Sequence, residues 1–262
     1  MTAYDPDFLD VPLAPPESPE GSDVLDYTHF TLQMHRTRRL ASWVAWNIDG
    51  LTLFSGDDIS RSGQDFRADP RIPRSQQTLD EAYADNELDR GHLARRSDLL
   101  WGTLAEARQA NSDSFFFTNI TPQHQDFNQS GRGGVWGLLE NAVLAQEGLT
   151  DRRLSLLAGP VLADDDPVYR EVVQVPREHW KVVAYRLDGE PRFRCFLLSQ
   201  DLDGVVGLDF LDAFDTYLVP LDLLEERTRL RFPSLRALGT GEPGARSVAG
   251  PTLVTDVDEV GW

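Results

Sequence analysis

LDRGHLARRSD, residues 88–98, decides how this chain is read. An apolar residue leads into Asp89, Arg90, Gly91 and His92, and Arg95 and Arg96 follow within four positions. Imidazole is the side chain best suited to accept a proton near neutral pH. Gly91 removes a side chain beside it and tolerates backbone angles closed to other residues. Arg90, Arg95 and Arg96 surround it with permanently charged planar forks that match phosphate oxygens. Taken alone, one histidine in such a run is ordinarily a surface or a satisfied core residue, so its meaning depends on what flanks it.

Downstream, FFFTNITPQHQDFNQ at 115–129 places Asn119, Gln123, His124, Asn128 and Gln129 in a short window after an apolar run. Carboxamide oxygens are hard, neutral donors that suit Mg²⁺ or Ca²⁺, although a polar loop using Asn and Pro for its turns has the same composition. VWGLLEN at 135–141 then carries Trp136, Leu139 and, one turn on, Val143 along one helical face, with Glu140 beside them. Upstream, RSGQDFRADP at 61–70 supplies Arg61 and Arg67 inside a long stretch, 61–84, rich in Pro, Asp, Arg and Gln. A loop of that length is usually functional or disordered.

The net charge of −18 over 262 residues argues, as a bulk figure, against a polyanion as partner. Its distribution changes that. Residues 36–153 hold 14 Arg against 17 Asp and Glu, whereas residues 1–26 hold seven acids and no base. The segment with the motifs is thus close to balanced. Lys181 is the only lysine, so nearly every cation is Arg. One cysteine, Cys195 in the apolar run FRCFLLS, excludes an intrachain disulfide and reads as a core residue.

Three parts are expected: an acidic, Pro-rich N-terminal arm at 1–26, extended or disordered; one domain at 27–238; and an irregular C-terminal tail at 239–262. Within the domain, alternation predicts strands at 28–35 and 42–48, with 51–54 continuing that sheet, and strand-like runs stand at 154–162, 180–185 and 193–198, with a short aromatic strand at 114–118. Helical spacing predicts helices over 99–110, capped by Ser97 or Asp98, over 135–143 and over 220–229. Strands and helices mix without βαβ alternation, which gives an α+β fold on a mainly antiparallel sheet.

In order, DRGH at 89–92, TNITPQ at 118–123, FNQ at 127–129 and W-x-x-L-E at 136–140 resemble the DNA/RNA non-specific endonuclease family, as do LLAGPVL, VPREHWKVV and VPLDLLEERTRLRF further on. The resemblance covers about residues 28–235 and implies a ββα-metal nuclease core that hydrolyses DNA and RNA phosphodiesters. By position it implies His92 as general base, Asn128 as ligand to one divalent cation, and Glu140 as the group orienting metal-bound water. It further implies Arg90 on the phosphate, Asn119 shaping the site, and Asp89 positioning the arginine or the backbone near His92. Arg61, Arg67, Arg95 and Arg96 are candidates for gripping substrate. Mg²⁺ suits the donors best, with Mn²⁺ or Ca²⁺ as alternatives.

One spacing departs from the family. Three residues ordinarily separate the ligand Asn from the Trp, but here seven do, from Asn128 to Trp136. A continuous helix from 128 to 140 would part Asn128 and Glu140 by about 18 Å, so the glycines at 131, 133 and 134 predict a bulge over 130–134. Arg132 at its tip would either reach substrate or lie solvated.

The alternative is a catalytically restrained or inactive nucleic-acid-binding module on the same fold. The first residues lack the basic and apolar regions of a secretory signal, and the single cysteine favours a reducing compartment, so a cytoplasmic enzyme is expected, with effector delivery left open. The expected partners are DNA and RNA, with an inhibitor or regulatory protein and a homodimer as further options and no membrane. The acidic arm is a candidate electrostatic cover over the arginines.

Overall fold

The computed structural model describes residues 3–145, 153–200, 202, 215–239, 251–255 and 260. An eight-stranded antiparallel sheet organises them. Its strands are β1 (Gly21–Tyr27), β2 (Phe30–His35), β3 (Ala41–Asp49), β6 (Arg153–Val161), β9 (Glu178–Leu187), β10 (Glu190–Ser199), β11 (Thr216–Val219) and β12 (Thr252–Leu253), and they lie side by side in that order. The central strands bury both faces, so side chains alternate between two cores. Val44, Trp46, Leu154, Leu156, Val183, Tyr185, Phe196 and Leu198 serve one core. Trp43, Ala45, Leu157, Trp180, Val182, Ala184, Cys195 and Leu197 serve the other.

On the first face sits a second layer. A two-stranded ribbon pairs β4 (Leu88–His92) with β5 (Ile120–His124), in register Leu88↔His124 to His92↔Ile120. Between them runs α1 (Leu104–Asp113); after them come α2 (Gln125–Asn128) and α3 (Val135–Ala145). Trp136 and Leu139 of α3 and Phe127 of α2 pack into the first core with Trp46 and Leu156. Each such buried side chain contributes roughly 1.5–3 kcal/mol. The other strand pair, β7 (Val168–Tyr169) with β8 (Val173–Gln174), lies in the loop before β9.

The second face is covered by α4 (Leu221–Thr228), α5 (Pro233–Leu238) and the N-terminal segment. Here the expectation of an extended or disordered arm over 1–26 is corrected. Tyr4, Phe8, Leu9 and Leu13 are buried against Trp43, Leu157 and Trp180, Tyr4 Oη donates to Leu13 O at 2.7 Å, and residues 21–26 are the edge strand β1. Acidic spacers had masked four apolar residues that dock together. Residues 4–13 therefore lie on the sheet face opposite the ribbon and residues 21–26 within the sheet, and an electrostatic cover over the arginines is not the place of either. In the C-terminal tail, Thr252 and Leu253 pair with β11, and Val260 is buried in the first core. Residues 240–250, 256–259, 261 and 262 of that tail lie outside the described residues.

Helix α1 starts later than expected. Residues Arg96–Leu99 form a 3-10 turn, and Thr103 caps α1 by a reciprocal pair: Glu106 N donates to Thr103 Oγ1 at 3.3 Å, and Thr103 N to Glu106 Oε2 at 2.9 Å. Residues 51–54 are loop, and 114–118 turn into a 3-10 helix at Phe117–Asn119 instead of a strand.

Candidate active site

The 130–134 bulge forms. Helix α2 stops at Asn128, a 3-10 turn spans Ser130–Arg132, Gly133 takes φ +84°, and α3 begins at Val135. Only glycine adopts that angle without strain. Gly134 and Gly137 let the two helices touch. A Cβ at Gly134 would stand 2.5 Å from Phe127 O, and one at Gly137 would stand 2.7 Å from Asn128 O. The break thus folds α3 back onto Asn128, and Asn128 and Glu140 line the same cleft. Arg132 ion-pairs with Asp126 at the bulge and does not line the cleft.

That cleft has a volume of about 410 Å³, and Arg61, His92, Arg95, Arg96, Asn128 and Glu140 are in its wall. The Gln123 side chain crosses Gly91 in β4: a Cβ there would meet Gln123 Oε1 at 2.0 Å, so any larger residue would have to displace that side chain. Asn119 is fully buried and clips the chain just past His92. Its Oδ1 accepts from Ala94 N at 2.9 Å, and its Nδ2 donates to Ala94 O at 3.0 Å and Ser114 O at 3.2 Å.

His92 is wedged between rings, Phe115 edge-on with centroids 5.5 Å apart and Phe66 tilted at 5.7 Å. Its Nε2 is buried and has no hydrogen-bond partner. Burial first, then the charges of Arg61 and Arg96, push its pKa down to about 3, so the imidazole is neutral.

The arginines separate into two groups. Arg61, Arg95 and Arg96 converge on the cleft, and burial with the other two lowers the pKa of Arg96. Arg96 is tied down by Ile59 O, Gly56 O and Asn111 Oδ1. Arg95 donates to Asn141 Oδ1 at 2.8 Å, and its Nη1 is buried without a partner. Arg67 and Arg90 do not line the cleft. Arg67 turns to Ser112 O at 2.8 Å and stacks on Phe116, and Arg90 turns to Asp80 at 2.7 Å between Phe66 and Tyr83. Of the two upstream candidates, Arg61 is the one at the cleft.

Asp89 serves neither arginine nor backbone, as had been expected of it. Its Oδ2 accepts from Asn128 Nδ2 at 2.9 Å and from Gln129 Nε2 at 2.7 Å. A carboxylate only accepts, so it fixes which end of the Asn128 amide is nitrogen and leaves Oδ1 for another partner.

Beneath the cleft lies a buried charge cluster that composition did not disclose. Both oxygens of Glu140 meet cations, Oε1 with Lys181 Nζ at 3.1 Å and Oε2 with Arg95 Nε at 3.4 Å. Asp98 accepts from Trp46 Nε1 at 3.1 Å, and burial raises its pKa to about 6 against the pull of Arg95. Alternation along β9 was the available signal, since Lys181 interrupts an apolar run and points to the ribbon side. Among the described residues no three His, Cys, Asp or Glu cluster as a metal site, and no helix is long and apolar enough to cross a membrane.

A protein from Sinorhizobium fredii named only as uncharacterized y4fB is 38% identical over 172 residues, 63% of this chain and 25% of that protein. The zebrafish mitochondrial nuclease EXOG is 28% identical over 177 residues, 67% of this chain and 44% of EXOG. The nuclease of Serratia marcescens is 27% identical over 215 residues, 77% of this chain and 71% of that enzyme. The match thus spans less than half the length of the first two. A solved complex of EndoG with EndoGI, described by its mechanism of EndoG inhibition, superposes with a TM-score of 0.64 at 22% identity, over 81% of this chain and 86% of that one, which shows the shared fold. With residues 13–237 matching the model of the DNA/RNA non-specific endonucleases, this chain belongs to that family.

Proposed function

We propose that the chain is a metal-dependent endonuclease that hydrolyses DNA and RNA phosphodiesters without reading sequence, with His92 as general base. One observation carries this reading: a neutral imidazole, held by aromatic walls, shares a cleft with three converging guanidinium groups and an oriented carboxamide.

Arg61, Arg95 and Arg96 give the cleft a positive lining that a phosphodiester anion satisfies. Contacts to phosphate position a strand without distinguishing its bases, which accounts for activity on both polymers. Burial is the main cause of the depressed His92 pKa, and Arg61 and Arg96 add to it; a docked anion offsets the arginines' share and so raises the proton affinity of the imidazole. His92 then takes the proton from the attacking water. Asn119 fixes the backbone beyond His92, and Phe66 and Phe115 hold its ring.

The donor set fits a divalent cation. Asp89 spends its acceptor on the Asn128 nitrogen, which leaves Asn128 Oδ1 as a hard oxygen donor, and Glu140 stands across the cleft to accept from water. Asn128 would hold the ion, with Mg²⁺ the best match. Such an ion supplies charge neutralisation at the phosphate and at the leaving oxygen. The N-terminal segment docks on the far face, which leaves an inhibitor partner or activation only on delivery as routes of restraint, and an acidic inhibitor protein matches the cleft's charge.

The test is cleavage of supercoiled plasmid and of single-stranded RNA by wild type and His92→Ala, with Mg²⁺, Mn²⁺ or chelator. Loss of both substrates only with metal, abolished by the substitution, is expected. Binding without cleavage by the wild type would replace the enzyme with an inactive binding module.

A further inference from the structure

Lys181 is the one lysine in a chain that otherwise uses arginine for every cation, and it is fully buried. It leaves β9 on the ribbon side, with Trp180 and Val182 on the other side. Its ammonium stands 4.0 Å from the Trp136 ring centroid and 5.6 Å from that of Trp46, and 3.1 Å from Glu140 Oε1. A buried ammonium is costly unless a carboxylate and well-placed dipoles compensate it. Here the carboxylate is the one in the cleft wall. Arg95 takes the other oxygen, so Glu140 is gripped from two directions, from β9 below and from the segment after β4 beside it.

We propose that Lys181 is a positioning residue: with Arg95 it holds both Glu140 oxygens so that their remaining lone pairs face the cleft. Lys181 touches neither substrate nor metal. Arginine is not an equivalent occupant, because its guanidinium is a planar fork and lysine's ammonium a compact point charge, so the grip on Glu140 Oε1 would change. The role rests on the reading of Glu140 as the acceptor for metal-bound water, and it deepens that reading.

The test uses Lys181→Met, which keeps the stem and removes the charge, in the full chain. Mn²⁺ affinity is measured by calorimetric titration, alongside kcat and KM on an oligonucleotide duplex. Removing a group that orients a metal's outer shell typically costs 10–100-fold. Mn²⁺ affinity should weaken at least about tenfold and kcat should fall likewise, with KM changing less than about threefold because Arg61 and Arg96 are untouched. Lys181→Arg should not restore either. A folded Lys181→Met protein with wild-type Mn²⁺ affinity and kcat, changed only in thermal stability, overturns the proposal and leaves Lys181 a core residue.

The second arm adds Glu140→Gln. Since Lys181 acts through Glu140, introducing Lys181→Met into Glu140→Gln should cost less than about twofold more in Mn²⁺ affinity, and this neutral pair buries no lone charge should the single variant fail to fold. A further tenfold loss in the double variant would also overturn the proposal. A wild-type protein that neither binds Mn²⁺ nor cleaves refutes the proposed function itself, a result distinct from either of these.

Discussion

On one face of the eight-stranded sheet lie the β4–β5 ribbon and helices α1 to α3, with Arg95, Arg96, Asp98, Glu140 and Lys181 buried or half-buried among them. On the other lie the N-terminal arm, α4 and α5, joined to the sheet by Tyr4, Phe8, Leu13, Trp43, Trp180 and Phe232. The first face holds buried polar atoms with no partner, His92 Nε2, Arg95 Nη1 and both amide ends of Gln123 among them, and the back face holds Trp180 Nε1. Each such atom costs about 1–3 kcal/mol. Strand β9 takes part in both, because its alternate residues belong to different cores. The difference teaches that rate and stability are separable here by which side of one sheet is altered.

Four substitutions or conditions can break that separation. His92→Ala should lower the cleavage rate by at least about 100-fold, the low end of general-base effects, while thermal unfolding stays close to wild type; plasmid nicking beside calorimetry measures both. A collapse of the fold would mean that His92 is a core residue instead. On the back face, Leu13→Ala should cost about 2–5 kcal/mol of stability, with kcat per folded molecule and its salt dependence unchanged. A changed salt slope would return the arm to the cleft. Asp89→Asn gives the Asn128 amide a choice of orientation and should weaken Mn²⁺ binding about 10- to 100-fold, read by titration; unchanged affinity would detach Asp89 from Asn128.

The smallest effect is acid lability. Burial depresses His92 and His179 to about 3 from an unfolded value of 6.5. Between those values the unfolded chain binds more protons, so stability is full above pH 6.5 and falls as pH drops toward 3. Asp98, raised to about 6, works in the opposite sense and offsets part of the loss. These three groups together give a loss of about 1–2 kcal/mol at pH 5.5, from roughly 1.4 kcal/mol per proton per pH unit, and His29 and His35, also depressed by burial, add to it in the same sense. A melting temperature equal at pH 7.5 and 5.5 would contradict it.

The sequence made the cleft more legible than the scaffold. Residues at fixed spacing around His92 and Asn128 are local, and the excess of four residues before Trp136 required a bulge that three glycines could supply. The central strands were legible because they alternate or run apolar. The arm differs from its reading because acids and prolines dominate its pattern, whereas burial depends on where Tyr4, Phe8, Leu9 and Leu13 point. Helix α1 was placed early although its Thr103–Glu106 capping box stands in the sequence. Arg67, Arg90 and Asp89 carry the right chemistry in the right motifs, but which partner each takes, Ser112, Asp80 or Asn128, is settled by folding partners 10 to 45 residues away.

Alternation on β9 has a consequence for how the chain finds its native pairing. A slip of one residue would exchange Lys181 with Trp180 or Val182, pressing an ammonium among Trp43, Leu157 and Phe232 and leaving an apolar side chain opposite Glu140. Either error strands a charge in hydrocarbon, on both sides of the sheet at once. The lone lysine thus acts as an indexing pin for the sheet: a slipped pairing of β9 carries the cost of a charge among apolar side chains, and the native pairing does not.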